Sequence, residues 1–206
     1  MNTLDTPAPG STLDGLRLDR REAVATLLGR IPDALVVTGL GSPSYDVCAA
    51  GHRGAAFPLW GAMGGAVSVG LGLALAQPER SVVVVTGDGE QLMGIGSLGT
   101  VAVAHPANLT IVVLDNGHYG ETGMQLSHSG HGADLTAVAR GFGIATCVRV
   151  DSLKGIGDLA ERVDARGGTV FVQVPISASE PPRALPPRDG VANKNAFRAA
   201  LGLPTF

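Results

Sequence analysis

Residues 81–89, Ser-Val-Val-Val-Val-Thr-Gly-Asp-Gly, join a continuous β-branched run to a glycine-flanked acid. A second apolar run, Leu109–Leu114, is followed closely by Asn116, with 26 residues between the acid motif and this amide. A helix over about Gln91–Ala104 travels roughly 21 Å at ~1.5 Å per residue, and the second run returns roughly 20 Å at ~3.3 Å per residue. Because the two lengths cancel, Asp88 and Asn116 are predicted at the same edge of one parallel sheet.

The two runs do not alternate between apolar and polar residues, a pattern typical of strands that are covered on both faces. Helical and strand-like segments alternate along the rest of the chain, which predicts an α/β fold: a doubly wound, mostly parallel sheet with helices on both faces. The other predicted helices are Leu16–Leu28, Ser44–Ala50, Gly64–Ala76, Asp134–Gly141, Leu153–Ala165 and Val191–Leu201. The other predicted strands are Ala34–Thr38, Ala145–Val150 and Thr169–Val174, and Gly51–Gly61 is predicted to be a loop.

Composition divides the chain into three parts. Residues 1–14 are rich in Thr, Pro and Gly and are predicted to be a flexible tail. Residues 15–178 form the predicted α/β domain. Residues 179–206 begin with a Pro-rich stretch and are predicted to be a connector followed by a short C-terminal helix.

Charge and hydropathy exclude several classes of protein. A net charge of −3 without a basic run does not favour a nucleic-acid partner. No charged residue occurs between Arg53 and Glu79, but Pro58 and several glycines interrupt this span, which favours a loop and a buried helix over a membrane span. The N-terminus lacks the basic-then-apolar order of a signal peptide, and the two cysteines show no metal spacing. We therefore expect a cytoplasmic protein.

The carboxyl ends of parallel strands form the usual ligand crevice of such a sheet. Gly87 and Gly89 expose backbone N–H groups to a ligand, and the Asp88 carboxylate and Asn116 amide oxygen are hard donors that suit Mg²⁺. Asp-Gly and Asn-Gly are also common turn pairs, which is the alternative interpretation. Their joint occurrence at two matched strand ends favours a cation and phosphate site.

The pattern of Gly87-Asp88-Gly89, 26 residues and Asn116 resembles the signature of thiamine diphosphate-dependent enzymes, in which the Asp and the Asn hold the metal that anchors the diphosphate. Residues 114–125 are most similar to sulfopyruvate and phosphonopyruvate decarboxylases. The resemblance covers about Leu16–Val174, and Gly94 carries no weight in it. The segments that carry it, besides the signature, are residues 60–66, 70–74, 92–98, 114–120 and 122–125.

This resemblance implies thiamine diphosphate and Mg²⁺ as cofactors and decarboxylation of a small, anionic 2-oxo acid to an aldehyde and CO₂. Asp88, Asn116 and the backbone carbonyl of His118 are the implied metal ligands. The Gly61 carbonyl is implied to accept from the cofactor's 4′-amino group, and Met63 to hold the cofactor bent. The implied cofactor-binding residues are Gly61, Met63, Gly87, Asp88, Gly89, Asn116, His118, Tyr119 and Gly120.

Three histidines, His118, His128 and His131, lie in a loop of Gly, Ser and Thr. Titration near neutral pH suits proton transfer or anion binding, for which His118 is the candidate catalytic residue. Polar residues on a mobile loop are the alternative, and the spacing does not favour zinc.

The activating glutamate of this family lies on a separate pyrimidine-binding domain, for which the chain has no room. Glu90 and Glu121 are beside the diphosphate motif, at the wrong end of a bent cofactor. The resemblance therefore implies a pyrimidine-domain α subunit as partner, in a hetero-oligomer of α2β2 or larger, and an inactive chain when alone.

Two alternatives stay open. One is half of an acetolactate-synthase-like carboligase, which shares every residue above. The other is a non-catalytic cofactor-binding or scaffold subunit. For a nucleotide-binding module, Gly39–Pro43 gives only a partial glycine fingerprint, and Pro43 is expected to disrupt the helix start.

Overall fold

The computed structural model describes residues 17–52 and 55–205, so the predicted tail over residues 1–14 lies outside the described residues. Helices in the described part are α1 (Arg20–Arg30), α2 (Ser42–Ala49), α3 (Ala66–Ala76), α4 (Asp88–Met93), α5 (Ser97–Ala104), α6 (Leu135–Gly141), α7 (Leu153–Ala165) and α8 (Gly190–Ala200). Strands are β1 (Leu35–Thr38), β2 (Ala56–Pro58), β3 (Val82–Gly87), β4 (Leu109–Asp115), β5 (His118–Tyr119), β6 (Gln125–Leu126), β7 (Thr146–Arg149) and β8 (Val170–Pro175).

Six strands form one sheet in the order β2-β1-β3-β4-β8-β7, and each neighbouring pair is parallel. In the centre, Val84 of β3 lies beside Ile111 of β4, which in turn lies beside Phe171 of β8. All residues of β1, β4 and β8 are buried, as the continuous apolar runs predicted. The predicted fold class is confirmed.

Helices cover both faces of this sheet, and alternate residues of β3 divide between the two cores. Val83 and Val85 pack with residues of α1 and α7 on one face, whereas Val82 and Val84 pack with residues of α3, α5 and α6 on the other. The α3 helix approaches β3 closely, because a Cβ at Gly70 would lie 2.2 Å from a methyl group of Val84. Small residues thus bring the helix layer close to the sheet.

The single helix predicted over Gln91–Ala104 is wrong. The helix begins at Asp88, ends at Met93, and resumes only at Ser97 as α5. Gly94 separates the two pieces and lies against Gly64, whose carbonyl oxygen would be 2.1 Å from a Cβ at Gly94. The chain turns here because another backbone segment passes directly over it.

Two other expectations need correction. Gly51–Gly61 contains the edge strand β2, whose three residues pair with β1 and end at Pro58. Pro43 does not disrupt the start of α2 but lies in its first turn, where the missing N–H has no intrahelical partner to lose.

The first helix also starts later than predicted, at Arg20, with the Asp19 side chain accepting from the Glu22 N–H at 2.9 Å. Leu16 lies outside the described residues, and Leu18 forms an isolated parallel bridge with Ile176, just beyond β8. The chain before α1 is therefore tied to the carboxyl end of the sheet.

The C-terminal segment, residues 177–205, folds back over the domain. Its Arg183 forms an ion pair with Glu121 at 3.1 Å and lies over the Tyr45 ring. Just before α8, the Pro187 carbonyl of this segment accepts a hydrogen bond from the Trp60 indole at 3.2 Å.

Within residues 17–52 and 55–205, none of the helices has both the length and the apolar character needed to cross a membrane.

Candidate cofactor and metal site

A cavity of about 180 Å³ opens at the carboxyl ends of β1, β3 and β4. The chain runs outward from β1 to β2 on one side and returns to β3 on the other, so the cavity lies where the strand order reverses. Ligands of doubly wound sheets bind at such a point. The fold thus gathers at one edge the turns that follow three buried strands.

Asp88 is the first residue of α4, and only 2% of it is exposed. Its Oδ2 accepts hydrogen bonds from the hydroxyls of Ser127 and, at 2.9 Å, Ser129. Within the described ranges, no basic side chain forms an ion pair with it. Burial raises the pKa of this carboxyl, the neighbouring Asp115 carboxylate raises it further, and the two serine hydrogen bonds oppose the shift.

Two side-chain turns shape the segment after β4. The Gly117 N–H donates to Asp115 Oδ1 at 3.0 Å, and the His118 N–H donates to Asn116 Oδ1 at 2.9 Å. Asn116 contributes to the wall of the same cavity as Asp88. Since an amide oxygen has two lone pairs, Asn116 Oδ1 can accept this hydrogen bond and still coordinate a cation.

The residues present fit a divalent cation. Ser129 Oγ lies 2.9 Å from Asp88 Oδ2 and 2.7 Å from Asp115 Oδ1, yet its one hydrogen can serve only one carboxylate at a time. A cation at Asp88 would relieve both the desolvation and the repulsion between the two acids. No group of three or more His, Cys, Asp and Glu in the described part of the chain is arranged to hold a metal. Besides Asp88, the ligands of such a cation would therefore be amide, main-chain, water or phosphate oxygens.

One ring nitrogen of His118, Nδ1, has a defined hydrogen-bond partner. Its Nδ1 lies 2.8 Å from the Asn116 carbonyl, which can only accept, so Nδ1 carries the hydrogen. In the neutral ring Nε2 is then an acceptor, and the residue lines the cavity. His128 is further out, with Nδ1 3.5 Å from the Tyr119 hydroxyl. Of the three histidines, His118 is the one beside the predicted ligands.

The glycines of the motif differ in their surroundings. A Cβ at Gly87 would meet only Pro43, at 4.0 Å, so this position leaves room for a ligand. A Cβ at Gly89 would lie 2.4 Å from the Tyr119 ring, so the aromatic ring and not open space covers Gly89. Met63 lines the cavity and is partly exposed at its rim.

Glu90, the neighbour of the motif, is almost fully buried and receives donors from three separate segments. Its carboxylate accepts from Thr86 Oγ1 at 2.9 Å and the Gly64 N–H at 3.2 Å, with the N–H groups of Leu40 and Ala66 nearby. Burial raises the pKa of the Glu90 carboxyl, and these donors oppose the shift. Glu90 thus ties the turn after β1 and the start of α3 to the end of β3.

The structure brings most of the predicted site residues into one wall. The residues that line the cavity as predicted are Met63, Gly87, Asp88, Gly89, Asn116, His118, Tyr119 and Gly120. Gly61 is exposed, with φ of +75°, and is not part of this wall. The metal-binding role of the His118 carbonyl stays a prediction.

The roles of four other residues at the site were not predicted from sequence. Ser127 and Ser129, which hold Asp88, carry only a weak signal as hydroxyls in a polar loop. Glu90 was predicted beside the motif but without its contacts to two other segments, and no sequence pattern pointed to Arg20, which lies in the cavity wall. Their roles depend on segments that come together only in the fold.

Comparison with known proteins gives a consistent result. A family model described as "Thiamine pyrophosphate enzyme, C-terminal TPP binding domain" matches residues 47–174. The chain is 41% identical over 161 residues to a sulfopyruvate decarboxylase subunit beta of Methanothermobacter thermautotrophicus, covering 78% of this chain and 83% of that one. It is 41% identical over 161 residues to a phosphonopyruvate decarboxylase of Streptomyces viridochromogenes, covering 78% of this chain but only 40% of that protein.

A solved benzoylformate decarboxylase of Polynucleobacter necessarius shares the fold, with a TM-score of 0.67 at 21% identity. The match covers 88% of this chain and 36% of the solved one. The chain therefore spans less than half the length of these two decarboxylases and most of the length of the beta subunit.

Proposed function

Since the chain belongs to the thiamine pyrophosphate enzymes, through their C-terminal cofactor-binding domain, we propose that it is the cofactor-binding chain of a decarboxylase for a small, anionic 2-oxo acid. The observation that carries the proposal is the buried Asp88, which has no ion pair in the described ranges and shares a cavity with Asn116. The names of the relatives support a substrate with a second acidic group, sulfonate or phosphonate.

Five residues at the cavity have a proposed task. Asp88 and Asn116 hold Mg²⁺, with the His118 carbonyl as a third ligand, and Ser127 fixes the orientation of the Asp88 carboxylate. Met63 supports the bound cofactor, and His118 Nε2 receives or delivers a proton at the substrate. Thiamine diphosphate, when bound, supplies the nucleophilic carbon and the electron sink that loss of CO₂ requires.

The contacts of the two glutamates in this cavity support the proposal that a partner chain supplies the activating glutamate. Glu90 is engaged by four donors, and Glu121 is paired with Arg183 at 3.1 Å. Neither is free to activate a cofactor ring. We therefore assign the activating glutamate to a pyrimidine-binding α chain, in an assembly of α2β2 or larger, as the names of beta-subunit relatives also suggest.

An exposed apolar face supports the same conclusion. Helices α3 and α5 pack against each other and contain no charged residue. The large apolar side chains that they and α4 leave exposed are Val69, Leu75, Met93 and Val103. Such side chains are available to a partner chain that packs against these helices. Both cysteines are free, which supports the predicted cytoplasmic location.

The test combines calorimetric titration with product analysis. The purified chain and its complex with a co-expressed α-type chain are titrated with thiamine diphosphate, with and without MgCl₂. We expect metal-dependent binding that Asp88→Asn abolishes and the surface control Asp158→Asn leaves unchanged. With the partner present, sulfopyruvate or phosphonopyruvate should yield CO₂ and an aldehyde. Substantial turnover by the chain alone would contradict the two-chain proposal, and a carboligation product would contradict the reaction.

A further inference from the structure

The cavity wall contains a buried guanidinium group that the proposed function does not use. Arg20, the first residue of α1, is 4% exposed and lines the same cavity as Asp88 and Asn116. Its Nε donates to Asp46 Oδ2 at 2.7 Å, which fixes the group against α2. Asp46 is its one partner in the described part of the chain. A guanidinium has five N–H donors and a carboxylate takes at most two of them in a fork, so at least three are left.

The local charge does not balance. Arg21 donates to the other oxygen of the same carboxylate, Asp46 Oδ1, at 2.8 Å. Two guanidinium groups thus share one carboxylate. Of the other acids in the cavity wall, Glu90 has four donors, Glu121 pairs with Arg183, and Asp88 is assigned to the metal. The N–H donors of Arg20 that Asp46 does not take are therefore available to an anion.

A second polar group lines the cavity together with Arg20. Ser42, the first residue of α2, lines this cavity, and its hydroxyl forms no hydrogen bond within residues 17–52 and 55–205. No side chain caps this helix end, where the helix dipole favours negative charge. Arg20 and Ser42 thus line one space.

We propose that Arg20 and Ser42 bind a tetrahedral phosphoryl or sulfonyl oxyanion in this cavity. This proposal rests on the proposed function, because the cofactor and the substrate named there are the sources of such an anion. It is either the terminal phosphoryl group of the diphosphate or the acidic head group of the substrate. The planar fork of arginine matches two oxygens of such a group, which a lysine cannot do.

The test uses three variants. Arg20→Lys keeps the charge and one bond to Asp46 but loses the fork. The matched control is Arg21→Lys, which alters the same carboxylate from the opposite side and lies outside the cavity wall. Ser42→Ala leaves both ion pairs of Asp46 intact, so it reports on the anion even if a change at Arg20 prevents folding.

Two measurements on the assembled enzyme distinguish the sources. If the anion is the diphosphate, Arg20→Lys raises the Kd for thiamine diphosphate by about tenfold or more and affects all substrates alike. If it is the head group, the Kd is unchanged and kcat/KM for sulfopyruvate falls about tenfold relative to pyruvate, which has a methyl group instead. Ser42→Ala should change the same quantity in the same direction, by about threefold.

A third measurement does not depend on the proposed function. The purified chain is titrated with inorganic pyrophosphate and with sulfoacetate, and Arg20→Lys should weaken binding of at least one of them while Arg21→Lys does not. If wild type lacks thiamine diphosphate binding, the proposed function fails, but this titration still decides the present inference. Unchanged anion binding in Arg20→Lys and Ser42→Ala, or equal losses in Arg21→Lys, would overturn it.

Discussion

Individual side chains at this site owe their properties to burial more than to their place in a motif. Asp88 and Glu90 are separated by one residue and are both almost fully buried, yet their surroundings differ. Glu90 is met by backbone N–H groups from two segments, whereas Asp88 is met by hydroxyls and a second acid. The protein's own donors therefore stabilise the Glu90 carboxylate, whereas the Asp88 carboxylate is left to be stabilised by a bound cation.

Glu90→Gln is expected to loosen the cavity wall. An amide keeps one acceptor oxygen but turns an NH₂ group toward backbone donors, so we expect the free energy of unfolding to fall by about 2 kcal/mol. Urea denaturation measures this change, and the exposed Glu79→Gln serves as control. The Kd for thiamine diphosphate should rise in parallel, because Gly64 and Ala66 lose their anchor. A variant as stable as wild type would show that the carboxylate does not hold these segments together.

The stability of the metal-free chain should depend on pH through Asp88. Its pKa is raised in the folded state, so the folded chain binds this proton more tightly than the unfolded chain. The contribution is fully present below the unfolded pKa of ~3.9 and is lost as the pH rises through the folded pKa. Without Mg²⁺, Asp88→Asn should therefore gain stability relative to wild type as the pH rises from ~4 through the raised folded pKa, and the difference should then stay constant. Urea unfolding at several pH values measures this difference, and parallel curves for the two proteins would contradict it.

Secondary-structure elements were predictable where hydrophobic runs were long. β3, β4 and β8 lie within one residue of their predicted limits, and α7 matches its prediction, because each buries a continuous or periodic apolar pattern. The short elements were not predictable. β2 has three residues, and β5 and β6 have two each, so no periodicity can develop in them.

The break between α4 and α5 shows a second reason for failure. One helix was predicted over residues 91–104, but it is interrupted at Gly94 and Gly96, where the Gly64 backbone packs against Gly94. Gly94→Ala would place a Cβ 2.1 Å from the Gly64 oxygen, and we expect a loss of about 2 kcal/mol in unfolding free energy. The control is Gly96→Ala, whose Cβ would meet nothing within 4 Å. Thermal unfolding compares the two, and equal melting temperatures would refute the role given to this contact.

At the scale of the whole molecule, the sequence predicted the edge of the sheet at which the site lies but not everything that closes around it. Asp88 and Asn116 could be placed together because the strands that carry them are neighbours in sequence and in the sheet. Arg20 reaches the cavity, and Ser127 and Ser129 reach Asp88, from distant parts of the chain. Long-range packing of this kind leaves no local pattern.

The exposed apolar face gives a prediction for assembly. Val103 on α5 is 89% exposed, so Val103→Lys should change the stability of the isolated chain by no more than about 0.5 kcal/mol. If the partner covers this face, the same change should weaken association at least tenfold, because a buried unpaired charge is costly. Val191→Lys on α8, where the valine is 61% exposed, is the control. Sedimentation of the mixed chains reports the association, and an unimpaired complex would place the interface elsewhere.

The position of β8 in the sheet order has a consequence for how the chain is made. This last strand enters between β4 and β7, and its Gln173 supports Asp115 directly behind the cavity. Until about residue 175 has left the ribosome, the long apolar edge of β4 has no neighbour on that side. Nascent or C-terminally truncated chains are therefore expected to need chaperone protection, and to acquire affinity for their ligands only in the final stage of synthesis.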